Sequence, residues 1–438
     1  MVTFYAEIYE IKHIKILSKH TFVFLLLTYV FYLLTEIEKK KRNRSGRNTV
    51  TKTLNVAMIG GGFMGKAHAM AYAAMPMFFW PAPAIPHRKV LVDVNAEMAK
   101  QGAARYGFDE SSADWKATIA RKDVDVIDIV TPNDSHAEIA IAALKAGKHV
   151  ICEKPLARTG AEAKTMFEAA QKSGVIHMVA FNYRRTPGVA LAKKLIEEGR
   201  IGKILNFRGT YLQDWSADPN GPLSWRFQKK VAGSGTVGDI GTHVLDFARY
   251  LVGEVSAVNA IVKTYIPERP LQSGGLDKLG ASDKSGSGSM GVVDVDDEMI
   301  TLLKFQNGAV GSIEASRNAH GRNNFLTFEI HGSKGSIAFN YERMDEVQVM
   351  FADDPAETRG FRTIYTGPNH PYGQGLWPIP ALGIGYGETK IIECYDFFSA
   401  IVSGKLPSPN FEDGYKISAI ADAILESGAS ERWVNIAN

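Results

Sequence analysis

The chain has 438 residues, 45% apolar and 22% charged, with a formal net charge of +3. That length holds two domains, each with its own core. The basic excess lies in the first 50 residues, most densely at Lys39-Lys40-Lys41-Arg42-Asn43-Arg44, and the near-neutral remainder speaks against a nucleic-acid partner. Two cysteines, Cys152 and Cys394, exclude a disulfide framework and fit a reducing, cytoplasmic setting.

Residues 21–34 are almost continuously apolar, but 14 residues fall short of the ~20 that a spanning helix needs. No small-residue cleavage site follows, as a secretory signal would require. Two readings stand. The segment is outside the functional protein, for example through an upstream start in the reading frame, which the clean beginning of the fold at Thr53 favours. Alternatively it is a short membrane anchor with its basic flank in the cytoplasm.

From Leu54 onward, short apolar runs alternate with amphipathic stretches, which predicts βαβ units and a parallel sheet. Strands are expected at residues 54–59, 89–93, 124–130, 148–152 and 175–181. Helices are expected at 66–75, 95–106, 135–146, with Ser135 as N-cap, and 159–173. Residues 76–88, rich in proline and aromatics, read as an insertion loop. After Asn182, period-two runs at 204–212, 255–265, 299–305, 309–315, 325–331 and 336–340 predict a largely antiparallel sheet. One amphipathic helix, 239–252, interrupts it. Residues 274–291 read as a Gly/Ser-rich loop, and two helices, 388–402 and 413–427, close the chain. The organisation expected is an extension at 1–52, a first domain at 53–182 and a second at 183–438.

Gly60-Gly61-Gly62-Phe63-Met64-Gly65 follows the first strand and opens a helix, matching G-x-G-x-x-G at Gly60, Gly62 and Gly65. Such glycines allow a tight turn and close approach of backbone to a pyrophosphate at a helix N-terminus. With the strand, the helix and the later βαβ units in place, the motif predicts a Rossmann domain binding a dinucleotide. Asp93, ending the second strand, suits the adenosine ribose hydroxyls and repels a 2′-phosphate, which favours NAD over NADP. Thr131, Pro132 and Asn133 end a third strand on the nicotinamide side; each alone is also ordinary turn chemistry.

Glu153-Lys154-Pro155 closes the strand at 148–152, and the proline stops pairing there. Lys154 is thereby held at the carboxyl edge of the sheet, where doubly wound folds bind ligands. Taken alone, the tripeptide fits a surface lysine in a turn equally well. Asp239, His243, Asp246 and Tyr250 recur on one helix face, with Val244, Phe247, Ala248 and Leu251 on the buried side. A carboxylate one turn before a histidine can orient the ring, and that histidine can take a hydroxyl proton while hydride leaves carbon. The other reading is an aspartate serving the helix dipole beside a solvated histidine. The turn Gly233-Ser234-Gly235 upstream suggests close approach to a ligand. No metal is expected, since neither H-E-x-x-H nor C-x-x-C occurs.

Four motifs in order, Gly60-x-Gly62-x-x-Gly65-x-x-His68, Thr131-Pro132-Asn133-x-x-His136, Glu153-Lys154-Pro155 and Asp239-x-Gly241-x-His243-x-x-Asp246, resemble the Gfo/Idh/MocA group, the glucose-fructose oxidoreductase/inositol dehydrogenase family. The resemblance runs from Thr53 to the C-terminus. It implies an α/β protein: a Rossmann NAD-binding domain followed by an α/β domain whose open, mostly antiparallel sheet mediates dimers or tetramers. It implies catalytic roles for Lys154, Asp239 and His243, with His243 as the base. It places Gly60, Gly62, Phe63, Met64, Gly65, Asp93, Thr131, Pro132, Asn133, His136, Glu153 and Lys154 around NAD. The regions Gln213-Asp214-Trp215, Leu223-Ser224-Trp225-Arg226 and Asn182-Tyr183-Arg184-Arg185 resemble the sugar- and cyclitol-oxidising branch. Asn182, Tyr183, Trp215, Trp225 and Arg226 would accordingly contact substrate alongside Lys154, Asp239 and His243. The implied activity is oxidation of a secondary hydroxyl of inositol, levoglucosan or a related pyranose. An NAD-using glycosidase and a non-catalytic dinucleotide-binding protein are the alternatives.

Overall fold

The apolar run after Lys52 forms β1 (Thr53–Ile59), fully buried from Val56 onward, as in a sheet covered on both faces. The computed structural model describes residues 51–272 and 286–436; the apolar segment 21–34, the basic run and loop residues 274–285 lie outside the described residues. In the first domain β1 is followed by α1 (Phe63–Phe78), β2 (Ile85–Val92), α2 (Ala96–Tyr106), β3 (Glu110–Ser112), α3 (Trp115–Ala120), β4 (Val126–Ile129), α4 (His136–Lys145), β5 (His149–Cys152), α5 (Gly160–Ser173) and β6 (His177–Val179). The strands pair in parallel in the order β3-β2-β1-β4-β5-β6. The order reverses between β1 and β4, which opens a crevice at the carboxyl ends of the strands.

The expected loop at 76–88 is mostly regular structure. α1 continues through Pro76 to Phe78, and Ile85–Arg88 already pair with Thr53–Val56. Pro86 is tolerated there because β3 pairs only with Val90–Val92, so the missing N–H has no partner strand on that side. Ser135 precedes α4 but does not cap it; its hydroxyl bonds Thr131 Oγ1 and the Pro132 carbonyl instead. Asn95 and Thr159 do cap α2 and α5.

The second domain opens with α6 (Pro187–Glu197), absent from the expected elements although Pro187 at its first turn is a start signal. There follow β7 (Ile204–Leu212), α7 (Lys229–Ala232), a π-helical turn at Val237–Gly241, α8 (Thr242–Leu251), β8 (Val255–Lys263), β9 (Glu268–Gln272) and β10 (Gly286–Val292). β11 (Glu298–Phe305), β12 (Val310–Ser316), β13 (Phe325–Gly332), β14 (Gly335–Asn340), β15 (Glu346–Phe351), β16 (Arg362–Tyr365), α9 (Tyr386–Ser403), α10 (Phe411–Ser430) and β17 (Val434–Asn435) complete it. Among the described residues nine strands form one sheet in the order β16-β15-β14-β13-β7-β12-β11-β8-β17. Its pairs are antiparallel except β7 with β12. Gly286–Gly291 of the expected loop is strand, paired with β9.

Phe247 of α8 packs edge-on against Phe328 and Phe339 of the large sheet, fixing this helix on its inner face. α9 returns to the first domain, where Phe398 and Tyr395 meet Tyr72 and Phe79. Ile391, Ile392 and Phe397 share a buried cluster with Leu54 and Val56 of β1. The carboxyl edge of the parallel sheet thus faces α8 and the start of α9.

Candidate active site

The glycine loop joins β1 to α1. Gly60 has φ of 111°, and a Cβ there would lie 2.7 Å from the Val130 carbonyl oxygen. Only glycine adopts that conformation without strain. A Cβ on Gly65 would sit 2.8 Å from the Gly60 carbonyl, so the loop closes on the first turn of the helix. At Gly62 nothing lies within 4 Å of that position, and Gly62 caps α1 with no side-chain bond. The first N–H groups of α1 thereby face an open cradle of the kind that takes a pyrophosphate. Asp93 Oδ2 accepts the Gly61 N–H at 3.2 Å, which brings the carboxylate from the end of β2 to the mouth of the loop. These residues fit a bound NAD.

Other residues expected at the cofactor are turned inward. Asn133 donates to the Ala232 carbonyl of α7 at 2.9 Å, tying the two domains together. His136 is fully buried, its ring nitrogens 3.0 and 2.9 Å from the carbonyl oxygens of Pro155 and Thr131. Its side chain braces the turns after β4 and β5 and does not line the crevice, a correction to its expected place as a cofactor contact. The Glu153 carboxylate points into the protein too, accepting from Lys390 at 2.7 Å and lying 3.0 Å from His68 Nε2.

Lys154, just past β5, reaches the π-helical turn of the second domain. Its Nζ donates to the Asp239 carbonyl at 2.6 Å and to Asp239 Oδ1 at 3.3 Å. On the other side, Arg317 Nη1 lies 3.6 Å from Asp239 Oδ2. Burial by itself raises the Asp239 pKa, but Lys154, then Arg317 and Arg226, outweigh it and hold the carboxyl at about 2. Arg317 is fully buried, and its Nε and Nη1 have no hydrogen-bond partner among the described residues.

His243, one turn further on, packs its ring on Tyr183 at 4.3 Å, with Phe181 and Tyr211 edge-on at 5.9 Å. Burial, reinforced by the charge of Lys154, lowers its pKa well below the ordinary value, so the imidazole is neutral. The expectation that Asp239 orients this ring is not met. Nδ1 is buried without a hydrogen-bond partner among the described residues, and Asp239 is engaged with Lys154 and Arg317. An aromatic cage orients the histidine instead.

On the face shared by Asp239, His243, Asp246 and Tyr250, His243 and Asp246 are buried and the other two are half-buried. Asp246 is buried in an ion pair with Arg184, whose guanidinium also lies over the Tyr250 ring. Arg185 pairs with Asp396, and Asn182 donates to Thr389 Oγ1 at 2.8 Å. Arg184, Arg185 and Asn182 are therefore bound up in the interior, not presented to a sugar. The glycines of the turn at 233–235 likewise serve protein contacts. A Cβ on Gly235 would meet the Asp296 carbonyl oxygen, and one on Gly233 would meet Arg158.

Trp215, Trp225 and Arg226 stand closer to the constellation. Trp215 lies 5.3 Å from the Arg317 guanidinium and donates its indole N–H to Gln213 at 3.0 Å. Gln213, Asn324 and Tyr211 then hydrogen-bond in sequence to the Tyr183 hydroxyl, so the wall from Trp215 to His243 is continuous. Arg226 stacks on Trp225 at 4.4 Å.

Sequence reasoning missed Arg317, Asn324 and Tyr386. Arg317 directly follows β12, so its position at a strand end was the available signal. Tyr386, at the start of α9, stacks on Phe63 of the glycine loop, meets Tyr183 edge-on and donates to Met64 Sδ. Nothing in its local pattern announces a contact more than 300 residues back.

Comparison with known proteins agrees with this fold. Residues 54–181 match the oxidoreductase family with an NAD-binding Rossmann fold, and residues 189–338 match the GFO/IDH/MocA C-terminal domain. Levoglucosan dehydrogenase of Pseudarthrobacter phenanthrenivorans is 68% identical over 88% of this chain and 98% of its own length. Inositol 2-dehydrogenase of Rhizobium meliloti is 26% identical over 88% of this chain and all of its own length. A solved levoglucosan dehydrogenase in complex with NADH and levoglucosan superposes with a TM-score of 0.83 at 66% identity, covering 88% of this chain and all of that one. The chain belongs to the GFO/IDH/MocA family and is an NAD-dependent oxidoreductase.

Proposed function

We propose that the chain oxidises a secondary hydroxyl of a cyclic polyol, with levoglucosan as the foremost candidate substrate. The chemistry rests on one observation, an ionised Asp239 held between Lys154 and Arg317 beside a neutral, caged His243. The choice of substrate rests on the 68% identity to levoglucosan dehydrogenase. Bound NAD supplies the hydride acceptor. Neutral His243 takes the hydroxyl proton as the C–H bond breaks and C=O forms. Lys154 stabilises the developing negative oxygen, and Asp239 fixes the ammonium in position. Trp215 offers a flat face to the sugar C–H groups. Asp93 sets a preference for NAD over NADP by repelling a 2′-phosphate.

Assembly and location are proposals of the same standing. The large sheet exposes Leu205, Ile261, Ile300, Leu302 and Val310, which supports a homodimer or homotetramer formed through that sheet. Among the described residues no helix is long and apolar enough to cross a membrane, and two buried free thiols suit a reducing cytoplasm.

The test is NADH formation with levoglucosan, the inositols, glucose and xylose, each with NAD and with NADP. Levoglucosan with NAD is expected to give the highest kcat/KM. If an inositol exceeds it, the substrate assignment falls; if no polyol reduces either cofactor, the reaction assignment falls as well.

A further inference from the structure

Behind the turn that carries Lys154 lies a buried ionic cluster that the reaction does not consume. Lys390 of α9 is 1% exposed and donates to Glu153 Oε1 at 2.7 Å and to Glu393 Oε2 at 2.9 Å. His68 of α1 also meets Glu153 Oε1, at 3.0 Å, and its Nδ1 lies 3.0 Å from both Asp128 oxygens. Tyr72 donates to Asp128 at 2.7 Å. The second Glu153 oxygen accepts the backbone N–H of Lys154 at 3.1 Å. A chain of contacts therefore runs from α9 through Glu153 to the peptide from which Lys154 reaches Asp239.

We propose that Lys390 is a positioning residue for Lys154, pinning the Glu153 carboxylate that holds the Lys154 backbone. This rests on the proposed role of Lys154. A buried ion pair is weak evidence for stability, since well-packed apolar groups do as well. What an apolar pair would not supply is a charged acceptor fixed under one N–H of the turn. The pair also spans the two domains, so the lysine is aimed only when α9 is docked.

The ionisable groups facing Glu153 on its own side are His68, Asp128 and Cys152, with His136 beyond the turn. From the second domain they are Lys390, Glu393, Tyr386 and His243. Removing Lys390 leaves His68 as the one cation touching Glu153 among these groups, with Asp128 and Glu393 as competing anions. Glu153 then takes up a proton at a higher pH than before.

Lys390→Met is expected to lower kcat for levoglucosan about tenfold to a hundredfold, as a displaced catalytic group does, with NAD affinity by fluorescence titration unchanged. Its kcat profile gains a further acid limb, at higher pH than the one His243 sets in the wild type, and Lys154 is acetylated faster by acetic anhydride, read by mass spectrometry without substrate. Lys390→Arg restores both. Glu153→Gln/Lys390→Met is the variant to use where the single change does not fold; it keeps the low kcat and lacks the further acid limb. The proposal is overturned if the folded variants show wild-type kcat, pH profile and Lys154 labelling, even with a lowered Tm. Lys154→Met run in parallel separates the two readings. If it retains turnover, the role of Lys154 falls; if it loses turnover while the Lys390 variants stay normal, only the Lys390 proposal falls.

Discussion

His243 and Asp239 lie one helical turn apart yet are driven to opposite protonation states by different neighbours. Burial and the Lys154 charge keep the imidazole neutral, while Lys154 and Arg317 keep the carboxyl ionised down to about pH 2. In the proposed reaction only the histidine is free to gain a proton. His243→Ala is therefore expected to lower kcat by about 10²–10⁴, with NAD affinity by fluorescence titration unchanged; near-normal turnover would reassign the base. At the opposite end of the crevice Asp93 accepts the Gly61 N–H. Asp93→Ser keeps an acceptor there but removes the charge, so the ratio of kcat/KM with NAD to that with NADP is expected to fall. An unchanged ratio in a two-cofactor assay would mean that another group excludes the phosphate.

At the scale of elements, side chains at helix starts separate those that cap from those that only occupy the position. Asn95 accepts the N–H groups of Glu97 and Met98 at the start of α2, the helix that follows Asp93. Asn95→Ala is expected to cost about 1 kcal/mol of stability, measured by urea unfolding, with the m-value unchanged. Ser135 has the same sequence signature, but its hydroxyl is engaged by Thr131 and the Pro132 carbonyl. The predicted start of the second-domain helix at Asp239 proved to be a π-helical turn that runs into α8 at Thr242. Such turns widen the helix and are frequent at functional sites. Here the turn carries both the Asp239 carbonyl and the carboxylate that receive Lys154.

Across the whole molecule, two buried histidines set opposite limits on stability. Burial lowers the pKa of His68, but Asp128, with hydrogen bonds to Asp128 and Glu153, overrides it and raises the value from 6.5 to about 9. A raised pKa gives stabilisation that is complete below about 6.5 and lost as pH rises through about 9. Burial lowers the pKa of His177 from 6.5 to about 4. Its contribution is complete above about 6.5 and lost as pH falls through about 4. Tm is accordingly expected to peak near pH 6.5 and decline on both sides in thermal denaturation. A Tm still rising at pH 9 would contradict the account of His68.

Roles for Lys154, Asp239 and His243 came only from the family resemblance; the sequence by itself determined the parallel βαβ half, the glycine loop with Asp93, and the place of Lys154 at a strand end. Each is encoded locally, by apolar periodicity, by glycines at a strand–helix junction, or by a proline that ends a strand at a known edge. Tertiary structure alone decided who holds whom. Arg317 meets Asp239 across 78 residues, Lys390 meets Glu153 across 237, and Tyr386 meets Met64 across 322. It also placed the side chains of Asn182, His136 and Glu153, expected as contacts, in the interior. Partners so distant leave no periodic signal, because a buried charge selects its counterion by position in space, and that position exists only once both domains have packed.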